Sequence, residues 1–394
     1  MIQAFHHLRR LIEMKNNIKL MYGIAFLQGL VFYAPIATLY RTSAGLSLFD
    51  ISLIESISYV LMIVFEIPWG VLADRIGYRR TMIICSLLYF LSKIIFWQAD
   101  TFLMFLTERI LISIVFAGLS GVDTSILYLS AEEGQSQKVF SIFGTLGTMG
   151  MIAASFVCAV FVGTNYRFAG WLTIFPYALA AVLPFFLQEV KQQEEKKQTV
   201  HHVVKALKET VHNHRFLLLI ISGGVLSETV HMITVFLNQP KYTETGMDAS
   251  AISLVYIAMM LVGLLEVYSA RFAKRTGKRM AGIILFACAI AASIMLAFTS
   301  KAYIAVISIG IVNIVYALFQ PLFSACEHDS ITAADRATVI SAGALIADAV
   351  AVIIDLVMGQ LADISLTLSF LAGGAFLLVG GILFALVFQR KEIA

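Results

Sequence analysis

The chain has 394 residues, 59% of them hydrophobic and 13% charged, with a mean hydropathy of +0.86. A soluble domain carries about a quarter charged residues, so this composition describes a polytopic membrane protein and excludes a soluble enzyme. The formal net charge of +3 is small, and no basic, aromatic stretch points to a nucleic-acid partner.

A helix needs about 20 apolar residues to cross the hydrocarbon core. By that measure the first half holds spans 1 to 6 at 19–40, 49–73, 81–99, 102–126, 138–163 and 167–188. The second half holds spans 7 to 12 at 216–238, 250–272, 280–299, 302–325, 335–361 and 366–388. Segments of this length without two-residue alternation exclude a barrel. The N-terminus, with Arg9, Arg10 and Lys15, leads into span 1 without a secretory signal, and no soluble domain is expected at either end. Cys85, Cys158, Cys288 and Cys326 are scattered in or beside apolar segments, the pattern of small buried hydrophobes and not of metal ligands or disulfides. No cofactor is implied.

Between the halves, Lys191-Gln192-Gln193-Glu194-Glu195-Lys196-Lys197 is solvated. Val200, Val203, Val204, Leu207 and Val211 then recur at helical spacing, as in an amphipathic helix on a membrane surface. The expected organisation is a six-helix half at 1–190, a cytoplasmic linker at 191–215 and a second six-helix half at 216–394. With both termini inside, 22 of the 28 Lys and Arg face the cytoplasm, which sets the orientation.

An ionisable side chain at the centre of a span costs about 2.5–3.5 kcal/mol on insertion scales, so it faces protein or water. On span 1, Gln28 offers neutral polar lining, as do Asn313, Tyr316 and Gln320 on span 10. Glu55 and Glu66 on span 2 lie about 20° from eclipsed at 3.6 residues per turn. They are candidate sites, although Glu66 is equally placed to pair with the basic stretch below it. That stretch runs from Gly70 to Arg80 and holds Asp74, Arg75, Gly77, Arg79 and Arg80, its glycines allowing a tight reversal. Span 4 holds Glu108, Arg109, Ser113, Ser120 and Asp123. Neighbours on a helix point about 100° apart, so Glu108 and Arg109 do not serve one small site equally, and either could hold packing as an ion pair.

Span 7 puts Glu228 and His231 three apart on one face, near mid-depth. A carboxylate and an imidazole so placed suit a proton carrier, the alternative being a hydrogen-bonded pair that fixes packing. On span 11, Asp348 and Asp355 are seven apart on one face. They call for protonation, or for a partner such as Lys93, Arg109 or a cationic substrate.

The chain also repeats itself. Ala270-Arg271-Phe272-Ala273-Lys274-Arg275-Thr276-Gly277-Lys278-Arg279 is a degraded copy of the basic stretch about 200 residues on, and Glu266 stands to it as Glu66 stands to the first. A fainter echo links Lys138–Gly144, opening span 5, with Arg336–Gly343, opening span 11.

The stretch at 70–80 resembles the signature loop of the major facilitator superfamily, G-x-x-x-D-R-x-G-R-R, which joins the second and third membrane helices. Tyr78 stands where that family usually has arginine, and Arg79 follows it. The resemblance implies an all-α membrane protein, twelve transmembrane helices in two six-helix halves that rock around a mid-depth site. It also implies that Gly70, Asp74, Arg75, Gly77 and Arg79, with Asp123 in a charge relay, gate the transporter. Arg109 resembles the family's intramembrane arginine, linked to proton transfer. The family's Gly-Pro antiporter motif is missing, since span 5 has Gly144, Gly147 and Gly150 but no proline.

No phosphate loop, H-E-x-x-H or G-x-S-x-G is present, so ATP-driven transport and hydrolysis lack their usual residues and no enzyme is expected. The expected function is secondary active transport, proton-coupled efflux of small amphipathic or cationic compounds in the manner of bacterial drug exporters. The alternative is a proton-coupled importer of a small metabolite; a third class is a non-transporting sensor or scaffold. The expected partners are a small-molecule substrate, protons and the lipid bilayer of a bacterial inner membrane, with the chain acting as a monomer.

Overall fold

The computed structural model describes residues 2–132, 134–190, 210–331 and 336–388; the side chains of residues 2–13, Ile67, Val71, Asp74 and 336–338 are outside that description. Most of the expected linker helix lies outside it too. The described residues are helical and contain twelve helices long and apolar enough to cross a membrane. They run Met14–Ser43, Leu48–Glu66, Tyr78–Gln98, Phe102–Ser130, Ser136–Phe161 and Tyr166–Phe186, then His214–Glu244, Ala249–Thr276, Lys278–Phe298, Ala302–Ser330, Val339–Ile364 and Leu366–Val387.

Several spans depart from uniform helix where the sequence gives a local cause. Span 1 breaks after Gly29 and resumes through a short 3-10 turn at Ala34–Ile36, with Pro35 near its start, where a missing N–H costs least. Span 4 stops at Leu119 and restarts at Val122, because Gly121 adopts φ +78°, which glycine alone adopts cheaply. The helix of span 2 continues past its apolar part to Ile76; Gly77, at φ +88°, then reverses the chain into span 3. Side chains cap several starts: Thr101, Asn165, Asn213 and Asp248 accept from Met104, Phe168, Phe216 and Ala251 N–H groups. Three cysteines are buried and free; Cys288 is exposed, against the expectation of burial.

The helices pack as two units, residues 1–40 with 58–196 and residues 41–57 with 197–394. The segment 41–57, expected in the first half, thus packs with the second. Within each unit the same pairs meet: spans 1 and 5, 3 and 4, and 3 and 6 in the first; spans 7 and 11, 9 and 10, and 9 and 12 in the second. Helices start at 78 and 278, 102 and 302, 136 and 336, and 166 and 366, so one constant shift of 200 relates them. The repeat seen in two loops therefore extends through both bundles.

Gly29 of span 1 and Gly150 of span 5 serve this packing. A Cβ added at Gly29 would run into the Gly147 carbonyl, and one at Gly150 into the Phe26 carbonyl, so spans 1 and 5 touch backbone to backbone. The equivalent contact of spans 7 and 11 is looser, with a Cβ at Gly224 lying 3.2 Å from Ala347 Cα.

Candidate functional site

In the second unit, span 7 presents Glu228 and His231 one turn apart, and His231 Nδ1 lies 2.9 Å from Glu228 Oε1. The carboxylate side chain is 9% exposed and the imidazole 33%, so the pair spans the boundary between the packed interior and open space. Immediately beyond His231 the helix widens into a π segment, Met232–Leu237. Such segments are rare, cost regular hydrogen bonding and occur often at functional sites. Phe236, inside it, meets the His231 ring edge-on at 5.2 Å between centroids. Next to Glu228, Ser227 Oγ accepts from Gln320 Nε2 at 2.8 Å, tying span 10 to span 7. Tyr316, one turn before Gln320 on span 10, is exposed.

The other expected residues of this unit are less convergent. Asn313 turns an amide hydrogen back onto the Ile309 carbonyl of its own helix, at 2.9 Å. Asp355 is fully buried and Asp348 half-buried on span 11. Glu55 is buried in the segment that packs with this unit, whereas Glu66 on the same helix is exposed. The start of that segment is held by Asp363 at the end of span 11, whose two carboxylate oxygens accept from Leu48 N–H at 2.8 Å and Phe49 N–H at 3.2 Å. Gly359, one turn earlier, leaves room for Ser52, which a Cβ there would strike.

In the first unit, Arg109 is half-buried and its Nε donates to Ser58 Oγ at 3.1 Å; Ser58 in turn shares a hydrogen bond with Ser113. Glu108, its neighbour, points elsewhere and lies 3.9 Å from Lys93 of span 3. Lys93 also donates to Tyr33 Oη at 2.9 Å. Both cations that the sequence offers as partners for Asp348 and Asp355 thus have contacts inside their own unit. Gln28 is half-buried, and its backbone carbonyl accepts from Tyr177 Oη at 2.8 Å.

At the loop, Gly70 and Arg75 are exposed. Arg79 is fixed: its side chain donates to the Phe185 carbonyl at the end of span 6 at 2.7 Å, and its N–H to Glu189 at 3.3 Å. The Glu189 carboxylate lies so close over Gly77 that a Cβ would come within 2.7 Å of it. Asp123 sits in the first turn after the Gly121 break and accepts from Thr124 N–H at 2.6 Å.

A model of the Major Facilitator Superfamily matches residues 20–354. The chain belongs to that superfamily. Two relatives are an uncharacterised MFS-type transporter of Methanocaldococcus jannaschii, 25% identical over 47% of this chain and 49% of its own, and the uncharacterised MFS-type transporter YxaM of Bacillus subtilis, 24% identical over 61% of this chain and 62% of its own. The matched regions therefore span about half to three fifths of those relatives. Among solved structures, the fold is similar to the nucleoside transporter NupG, with a TM-score of 0.82 at 15% identity over 95% of this chain and 100% of that one. It is also similar to a bacterial homologue of the lysosomal transporter Spinster (0.73, 15%, 94% and 95%) and to a D-xylose–proton symporter (0.72, 12%, 96% and 97%).

Sequence reasoning named Glu228, His231, Gln320 and Arg109 but missed what several of them touch. Ser227, Ser58 and Ser113 carry no signal beyond being hydroxyls in a span. Glu189 and Asp363 lie at span ends, where acids are ordinary, and Lys93 and Glu108 were seen singly but not as a pair. A buried lysine on one helix and an acid on the next were the available clue.

Proposed function

We propose that the protein is a proton-coupled transporter in which Glu228 and His231 carry the proton. The observation that supports this is their 2.9 Å contact, with the acid buried and the imidazole partly open at the start of the π segment. One proton shared between an imidazole and a carboxylate can leave through the exposed ring, taking the pair from net zero to −1, a charge that a cation can then neutralise. Direction and cargo follow from how the site is occupied. When proton and cargo exclude one another, a lipophilic cation near Glu228, flanked by Phe236 and Tyr316, is exchanged for protons and exported. The chain then sits in a bacterial inner membrane, both termini cytoplasmic, working as a monomer by alternating access of its two halves.

A second reading, import of a polar metabolite with a proton, is favoured by the Gln320–Ser227 hydrogen bond. These are neutral groups suited to hydroxyls and amides, and the fold neighbours named for nucleoside and D-xylose transport fit such cargo. Proteoliposomes with an imposed pH gradient decide between the two. Efflux of a cationic dye that collapses with an uncoupler supports exchange; uptake of labelled nucleosides or sugars with the proton supports import. Transport indifferent to the gradient overturns both. Glu228→Gln abolishes coupling, and Asp74→Asn slows turnover while leaving binding nearly intact if the loop gates the cycle.

A further inference from the structure

The first unit contains a second charged centre that the proposed mechanism does not use. Lys93 on span 3 is 3% exposed and Glu108 on span 4 is 1% exposed. The ammonium of Lys93 has several partners besides the acid. It donates to Tyr33 Oη at 2.9 Å and lies 5.6 Å from the Tyr33 ring centroid, 4.7 Å from that of Tyr89 and 5.0 Å from that of Tyr177. Desolvated cation–π contacts are strong enough to hold an ammonium in such a place. Glu108 is served less well: Oε1 is 3.9 Å from Lys93 Nζ, and Oε2, fully buried, has no hydrogen-bond partner among the described residues.

A buried ion pair that served packing alone would be short, with its remaining oxygen satisfied, because otherwise desolvation exceeds the attraction. The same chain supplies a control. At the positions shifted by 200, spans 9 and 10 carry Ser293 and Ser308, also fully buried. Each is satisfied by a backbone carbonyl, that of Phe370 at 2.6 Å and that of Ile304 at 2.8 Å. The three tyrosine positions become Ile233, Ala289 and Leu377. Helix packing at this place therefore does not require charge.

We infer that Glu108 is a second proton-binding site, held beside the Lys93 ammonium in a tyrosine cage. On protonation the carboxylate becomes a neutral carboxyl, the proton coming from water, and the cluster goes from net zero to +1. Lys93 retains Tyr33 and the three ring faces as partners, so losing the carboxylate's charge does not strand it. The titratable and charged groups around Glu108 are Tyr33 on span 1, Tyr89 and Lys93 on span 3, Arg109 on span 4 and Tyr177 on span 6. The inference deepens the proton-coupled reading by giving each unit its own proton site.

Infrared difference spectra of the purified full-length protein between alkaline and acid pH test it without a substrate, since a carboxyl that gains a proton shows a carbonyl stretch. Glu108→Gln should lose one such band and Glu228→Gln a different one. Should Glu108→Gln fail to fold, Glu108→Asp keeps the acid and moves the band to a new frequency. A Glu108→Gln or Glu108→Asp spectrum superimposable on wild type in the carbonyl region overturns the inference. Loss of the Glu108 band with no band at Glu228 leaves it standing and removes the proposed carrier on span 7.

Discussion

The two units share one arrangement of helices and place their charges at different points in it. In the first, positions 93 and 108 are Lys and Glu while positions 28 and 31 are Gln and Val; in the second, positions 293 and 308 are Ser and Ser while 228 and 231 are Glu and His. Each polar centre thus has an uncharged counterpart in the other unit. The backbone does not demand charge at either place, and what the fold tolerates there is legible from its own repeat.

The comparison breaks most sharply at Lys93. Lys93→Ser alone leaves Glu108 buried without its ion-pair partner, and removing one partner of a buried pair costs about 3–5 kcal/mol. The double change Lys93→Ser, Glu108→Ser copies the second unit and should recover most of the loss in a thermal unfolding experiment in detergent. A double variant no more stable than the single would show that the units are not equivalent there. In the second unit, Glu228→Gln copies the residue type of position 28; flux driven by a pH gradient should fall about 10²-fold or more, the scale of a lost proton-transfer group, while folding is unchanged.

Packing offers a finer test. Gly29→Ala should destabilise the first unit by about 1–3 kcal/mol, since the added methyl meets a backbone carbonyl that cannot move aside. Gly147→Ala should be nearly neutral, because its nearest atom is the Ala25 carbonyl at 3.7 Å. Melting temperatures that rank the two the other way would remove the backbone contact from spans 1 and 5. A small effect is expected at Asp363→Ala, which uncaps the Leu48 and Phe49 amides at about 1 kcal/mol. Faster amide exchange there, with little change in melting temperature, is the expected result.

Much of the fold was visible beforehand because it is local. Twenty apolar residues specify a span whatever lies beside it, and Gly77 marks a reversal by its own backbone freedom. Glu228 and His231 could be paired in advance because three residues along one helix fix their separation. The breaks in spans 1 and 4 escaped the apolar count, since Gly29 and Gly121 are ordinary in a membrane helix until a neighbour or a positive φ gives them a task. Glu108 was assigned no partner because its partner lies on another helix, and the cap from Asp363 reaches across 315 residues.

By itself the sequence determined the number of spans, the repeat, the loop that marks the superfamily and the pair on span 7, all set by distances along one helix or by composition. Only the tertiary structure decided which charges neutralise one another, that Lys93 sits among three tyrosines, and that residues 41–57 pack with the second unit. Side-chain reach is a few ångströms, so those contacts depend on how helices are laid side by side, and apolar spacing leaves that open.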